Sequence, residues 1–399
     1  MGARRSSGDR GRAGADPVRS VIGRWIRENR EFQHVTQAEL CRSLRERGVQ
    51  VSPSTLSRWE RGEASPGADV LALLGVELGS SLAALEERIH AAMVRSREEV
   101  DVTGREPREL VERADRAARA GNYHRALALL EAADDLVRLS GDEAPGELHA
   151  GLLLRLAAAH MKLWHLEMAR QALVRYGTLP GDSRQRRFRG LVYRLNLARK
   201  ERDWSGGDLL VRRLEALLSA SEPREQAEAH QVLGGFWRAR RKLDLAVEHF
   251  GAALAKRRET GPKAEETRAL LFLGYCLAAA GKDRVGGERM VLEALSTSRR
   301  QGFRDIETWA LYYLGRCRIE SGNLEEGLAA LEEAAERARD LRLDEARFAA
   351  LYRAWLAVGG DDLLGRLRRL LAGIHPMVEE ARQLRARLAG DGGYREVEP

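Results

Sequence analysis

Residues 51–66 read VSPSTLSRWERGEASP, and four of their side chains could do chemistry together. Ser54, Ser57, Arg58 and Arg61 fall three or four residues apart, so a helix here carries them as one stripe. The stripe is short, polar and cationic, with no acid in it, which suits phosphate oxygens and base edges. A solvated helix face would look similar, so the stripe alone leaves both readings open. Its local frame is clearer. Ser52 before Pro53 forms a strong helix start, because serine accepts from an orphan amide and proline at the first position loses no bond. Gly62 offers a C-terminal stop, and Pro66 prevents the helix from resuming. Such a short helix is not stable alone, and Leu56 and Trp59 give it an apolar edge to bury.

Few other residues suggest reactivity. Gly281-Lys282 lacks the glycine spacing and the following Ser or Thr of a phosphate loop. His160 and His165 sit outside any HExxH frame, and no cysteine joins them in a metal set. Cys41, Cys276 and Cys317 are too dispersed for a disulfide framework, and each lies among helical neighbours that predict a buried thiol. No catalysis, metal or cofactor is assigned. The remaining chemical signal is charge. The chain of 399 residues is net +7, and residues 182–202 concentrate eight Lys or Arg against two acids. Asn196 lies in that stretch at a mid-helix position, where asparagine is a poor choice.

The elements that must position these residues are all helical by pattern. Val18, Val21, Ile22, Trp25 and Ile26 trace a core-facing stripe over 18–31. Thr36-Gln37-Ala38-Glu39 is a capping box that opens a second helix to about Arg47, with Leu40, Cys41 and Leu44 inward. The stretch at 51–66 is a third helix; 68–78 and 82–95 supply two more. No period-two strand pattern appears. In chain order, a helix ending in Arg30 leads to TQAEL, then to STLSRWERG. This resembles the Cro/C1-type (XRE-family) helix-turn-helix over roughly residues 18–85. The resemblance implies DNA binding, with Gln37 on phosphate and helix 3 in the major groove. It further implies a structural ion pair between Arg30 and Glu60, which removes Glu60 from DNA contact. The expected DNA-facing set is Gln37, Ser52, Ser54, Thr55, Ser57, Arg58 and Arg61, with Ser54 and Arg58 reading bases. One departure stands out: RERGVQ makes the turn about five residues longer than usual, so either helix 2 gains a turn or the connection is an open loop. Arg42, Arg45 and Arg47 on that side are as consistent with a solvated face as with phosphate contact.

From about residue 104 the chain repeats. NYHRALALLEAA, KLDLAVEHFGAAL and NLEEGLAALEEAA share a register with three further segments, and Leu233-Gly234, Leu273-Gly274 and Leu314-Gly315 recur on the preceding helices. Glycine inside a helix costs about 1 kcal/mol, so its recurrence predicts close helix–helix approach. The pattern resembles tetratricopeptide repeats, with Ala246, Phe250 and Ala253 at the expected offsets. That implies an all-α chain: a five-helix head, then a right-handed tetratricopeptide solenoid with a concave inner face and longer helices than usual. The expected division is a basic tail at 1–17, a head at 18–95, a linker at 96–106, an array of six to seven repeats plus capping helix at 107–390, and a tail at 391–399.

Inward positions on the first helix of each repeat then name the candidate ligand residues: Arg189, Asn196, Arg199, Gln231, Arg238, Tyr275, Tyr312 and Arg316, with Val192 and Trp309 beside them. A side-chain amide pairs with both groups of an extended peptide backbone, and the arginines suit a carboxylate; an incidental asparagine on a solvated basic face fits equally. Head plus array resembles the peptide-responsive RRNPP regulators of bacteria. That implies a cytoplasmic homodimer that binds double-stranded DNA and a short peptide or small-molecule effector, with no membrane association. The alternative is a scaffold whose array docks a protein partner that the head delivers to DNA.

Overall fold

The computed structural model describes residues 16–98, 100, 104–139, 146–181 and 183–389; residues 1–15 of the expected tail at 1–17, residues 99 and 101–103 of the expected linker, and the expected tail at 391–399 lie outside them. The described chain is helical throughout, without a strand, and divides into two compact units at residues 103 and 104.

The first unit holds α1 (Pro17–Phe32), α2 (Gln37–Glu46), α3 (Pro53–Glu60), α4 (Ala68–Glu77) and α5 (Leu82–Arg97). α1 starts one residue inside the expected tail, with Asp16 as its cap accepting from the Val18 amide at 3.0 Å. The core is the predicted apolar set. Ile22, Trp25 and Ile26 of α1 meet Leu40, Cys41 and Leu44 of α2 and Leu56 and Trp59 of α3. Trp25 is completely buried, and its indole N–H donates to Ser80 Oγ at 3.0 Å, as a buried indole requires.

One close approach in this unit carries no periodic signal. A Cβ on Gly23 would stand 2.3 Å from the Trp59 carbonyl oxygen and 2.9 Å from that of Glu60. Backbone cannot yield as a side chain can, so α1 and α3 touch only because residue 23 has no side chain. Gly23→Ala is expected to destabilise the head by about 3 kcal/mol. Hydrogen exchange in α1 and α3 would rise sharply; protection equal to wild type would refute the contact.

The second unit is seven helical hairpins and a cap. They are α6 (Pro107–Arg119) with α7 (Tyr123–Leu139), α8 (Gly146–Lys162) with α9 (Leu166–Thr178), and α10 (Arg184–Glu201) with α11 (Trp204–Leu218). α12 (Pro223–Ala239) pairs with α13 (Leu243–Thr260), α14 (Lys263–Ala279) with α15 (Arg284–Gln301), and α16 (Arg304–Glu320) with α17 (Leu324–Asp340). α18 (Asp344–Val358) and α19 (Asp361–Leu371) form the irregular seventh pair, followed by α20 (Glu379–Leu388). The helices α12 to α17 have 17 or 18 residues each, the extra length that the long repeat period demands. The recurring glycines sit at the crossings: a Cβ on Gly274 would be 2.7 Å from the Gly287 carbonyl, and one on Gly315 2.8 Å from that of Gly327. All three cysteines are free and buried; burial pushes the thiols of Cys276 and Cys317 up to about 12.

The array also closes on itself. Tyr123 of the first hairpin donates to Asp305 of the sixth at 2.6 Å, and Trp164, after α8, donates to Glu345 of α18 at 2.7 Å. Arg202, at the end of α10, pairs with Glu379 of α20. These bonds join residues 177 to 182 positions apart, so they span a full turn of the superhelix rather than neighbouring repeats.

Candidate nucleic-acid interface and inner face of the array

α3 is held as its sequence dictates. Ser52 Oγ accepts from the Thr55 amide at 3.1 Å, Pro53 opens the helix, and Gly62, at φ 72°, ends it. Glu60, the last residue of α3, is buried and gathers its partners from two other helices. Arg30 donates to it through Nε at 2.7 Å and Nη2 at 3.2 Å, and Gln37 Nε2 donates at 2.7 Å. Arg27 Nη2 adds a bond to the Glu60 carbonyl at 2.8 Å. The hydrogen bond to Glu60 raises the Arg30 pKa above its ordinary value, although partial burial opposes it. The expected Arg30–Glu60 pair is therefore present, and Gln37 belongs to it as well. Gln37 keeps its amide oxygen and second N–H for other partners, so the bond to Glu60 aims the side chain.

The turn between α2 and α3 is neither of the forms its length suggested. α2 stops at Glu46, and Gly48 adopts φ 86°. The Val49 amide donates back to Leu44 at 3.0 Å and the Gly48 amide to Arg45 at 2.9 Å, the paired bonds of a glycine helix cap. Val51 then enters the core. The extra residues thus form a closed, anchored turn. Arg47 is occupied by Glu77 at 2.7 Å, whereas Arg42 and Arg45 are exposed.

The outer face of α3 divides by how firmly its residues are engaged. Ser54 is exposed and shares a 2.8 Å hydrogen bond with Ser52; Thr55 Oγ1 lies 2.9 Å from the same Ser52 oxygen. Arg61 donates to Ser57 Oγ at 2.7 Å and to Glu63 at 2.6 Å, so both Ser57 and Arg61 are locally tied. Arg58 is 59% exposed and approaches Glu63 only at 3.8 Å. It is the cation most available for a bidentate contact.

In the array, the candidate residues fall into separate groups. Arg189 is exposed and lines a small cavity between α8, α9 and α10 with Tyr176, Arg186 and Glu147, apart from the central cluster. Gln231 is half-buried on α12. The others converge. Asn196 Oδ1 accepts from Arg199 at 2.8 and 3.2 Å. Arg238 donates to the Tyr313 hydroxyl at 2.9 Å and lies 5.1 Å from the Phe272 ring centre. Arg316 lies 4.8 Å over Tyr275, whose ring packs, tilted, against Tyr313 at 4.3 Å between centres. Tyr275 and Tyr312 are buried beneath this surface, Tyr312 donating to Glu380 of α20 at 3.1 Å. Trp309 remains half-buried against Tyr312 and Tyr313. Burial, with Arg238 close by, pulls the Arg199 pKa down to about 10. Burial, with Arg199 and Lys162 close by, pulls the Lys200 pKa down to about 8, although Glu345 opposes this.

Sequence reasoning missed two kinds of residue here. Tyr313 directly follows a residue counted as inward, and only the helix rotation shows that it faces Arg238. Asp305 meets Tyr123, and Glu345 meets Trp164, at separations of 182 and 181 residues that no local spacing encodes.

A short third helix, locked by a buried carboxylate to the two helices before it, with its outer face polar and open, has the geometry of a helix-turn-helix. Residues 26–85 match the family model described as Helix-turn-helix, and they form a domain of the XRE type. No curated protein matches the chain. Among solved structures it is similar to PlcR of Bacillus thuringiensis, solved with the peptide PapR7 and DNA, at 13% identity and TM-score 0.36 over 83% of this chain and 99% of that one. It is similar to a Rap protein solved with Competence and Sporulation Factor at 14% identity and TM-score 0.42, covering 94% and 96% of the two chains. It is similar to the apo competence regulator ComR of Streptococcus vestibularis at 16% identity and TM-score 0.36, covering 76% and 98%.

Proposed function

We propose that this chain is a sequence-specific transcriptional regulator whose repeat array senses a ligand, a short peptide, and couples it to DNA binding. The observation that carries the DNA half is the division of α3. Leu56, Trp59 and Glu60 are buried and fixed, while Ser54 and Arg58 are exposed on the opposite side. The sensing half is supported by the inner arginines and Asn196, which suit a peptide amide and an anionic group better than an apolar ligand. One head spans a single half-site, so the reading includes a homodimer on two half-sites about one DNA turn apart. A ligand that binds one arrangement of the array more tightly shifts the population of dimers with matching heads.

Two experiments test this. Genome-wide mapping of bound DNA, with and without culture supernatant, is expected to yield a shared two-fold motif whose occupancy changes with supernatant. Identical occupancy would remove the secreted-ligand part, and no enriched motif would remove the DNA part. On the native promoter, Arg58→Ala is expected to weaken binding roughly 5- to 100-fold, the loss of one base-reading arginine. Unchanged affinity together with an unchanged salt slope would remove α3 from the interface. If a stoichiometric protein co-purifies with the array instead of a ligand, the array is a docking scaffold.

A further inference from the structure

Arg238 is an anomaly that the regulator reading does not explain. Its Nε is buried, yet among the described residues every group the side chain touches is neutral or cationic. It donates to the Tyr313 hydroxyl, lies against the Phe272 and Tyr313 rings, and faces Arg199. Arg199 in turn is bonded only to the neutral Asn196 amide, with Glu345 acting on it at longer range. The buried Nε atoms of Arg238 and Arg316 have no hydrogen-bond partner among the described residues. A buried cation without a counter-charge is costly, and two side by side more so. Nearby carboxylates are committed elsewhere: Glu320 to Arg316, Glu380 to Tyr312, and Glu345 to Trp164 and Lys200.

Resting on the reading of the array as a sensor, we propose that Arg238, with Arg199 and Arg316, is the receptor for a carboxylate carried on an aromatic group. The anion supplies the missing counter-charge. The aromatic group is set by the walls, since the Phe272 and Tyr313 ring centres lie 5.1 and 5.7 Å from the Arg238 guanidinium and Trp309, still partly open, lies 6.1 Å from the Tyr313 ring centre. Two sources share this chemistry: the C-terminal residue of a short peptide, and a free aromatic acid.

The test replaces the charge while keeping the stem. Arg238→Met removes an uncompensated buried cation, so the unliganded full-length protein is expected to melt at a higher temperature than wild type. An arginine with a merely structural role gives the opposite sign. Thermal shifts are then read with four probes: tripeptide pools ending in Trp, Tyr or Phe with a free carboxyl, the same pools amidated, indole-3-acetate, and indole-3-acetamide. At concentrations well above Kd, an acid probe is expected to raise the wild-type Tm, its amide is not, and Arg238→Met is expected to lose the response. A response to the peptide acids alone assigns the ligand as a peptide terminus, and one to indole-3-acetate alone as a free acid. Equal shifts with acids and amides overturn the carboxylate receptor while leaving a sensor array standing. A lowered Tm in Arg238→Met, with no probe acting on wild type, overturns the proposal. The supernatant mapping judges the sensor reading independently.

Discussion

Glu60→Ala is expected to abolish DNA binding, although Glu60 faces away from the recognition surface. The side chain is 4% exposed, and that of Arg30 is 12% exposed. Removing the carboxylate leaves the Arg30 Nε and Nη2 and the Gln37 amide without their acceptor, while the Arg27 bond to the residue-60 carbonyl remains. Breaking one side of such a buried pair costs about 3–5 kcal/mol, comparable to the stability of a small helical head. The damage has a direction. α3 loses its tie to α1, and Gln37 loses the bond that orients it at the start of α2, so pose and phosphate contact fail together. Gel shift on the native promoter should show no specific complex, and hydrogen exchange should rise in α1 to α3 while the array keeps its protection. Glu60→Gln retains the shape and an acceptor, and should recover part of the protection. Full affinity in Glu60→Ala would mean that Leu56 and Trp59 alone set the pose of α3.

The Arg30–Glu60 pair was legible in the sequence, whereas Gly23 was not, and the contrast is physical. An ion pair needs two residue types at two separated positions, and a family pattern fixes both. Gly23 looks like a weak point in an amphipathic helix until α3 is laid against it, because its value is the side chain it lacks. The same distinction runs through the array. Repeat boundaries, the long helices and the glycine crossings follow from a period of 40 or so residues, which is a local property repeated. The inward set was located only approximately, since a helix rotation of one residue exchanges Tyr312 for Tyr313 as the neighbour of Arg238. The anchored turn at residues 47–52 was readable in principle. Gly48 is the signal for a helix cap, and Val49 and Val51 for return to the core, but the unusual length obscured it.

Closure of the array follows from long-range contacts alone, and Asp305 is where it is most exposed to test. The residue is 4% exposed, and its carboxylate accepts from Tyr123 at 2.6 Å and Arg268 at 3.2 Å, with Lys162 at 3.9 Å. These groups come from α7, α14 and α8, so one acid joins the first two hairpins to the fifth and sixth. Burial pushes the Asp305 carboxyl upward, but Arg268, Lys162 and the Tyr123 bond outweigh it and hold the carboxyl below its ordinary value. Asp305→Asn keeps the shape and an acceptor for Tyr123 while leaving Lys162 without its carboxylate and Arg268 with Glu265 alone. The expected cost is about 3–5 kcal/mol to the array, seen as a lower melting temperature and faster proteolysis between the early and late hairpins. The pH dependence has a fixed sign. Because the folded pKa is depressed, this stabilisation is complete above the ordinary aspartate value near pH 4 and is lost as pH falls through the folded value. Wild type should therefore show an acid-side loss of stability that Asp305→Asn lacks. Adding Lys162→Met to Asp305→Asn should restore part of the loss, since it removes the cation whose nearest carboxylate is Asp305, at 3.9 Å. If Asp305→Asn melts like wild type at neutral pH, apolar packing closes the ring, and the seam is a consequence of the superhelix rather than a cause.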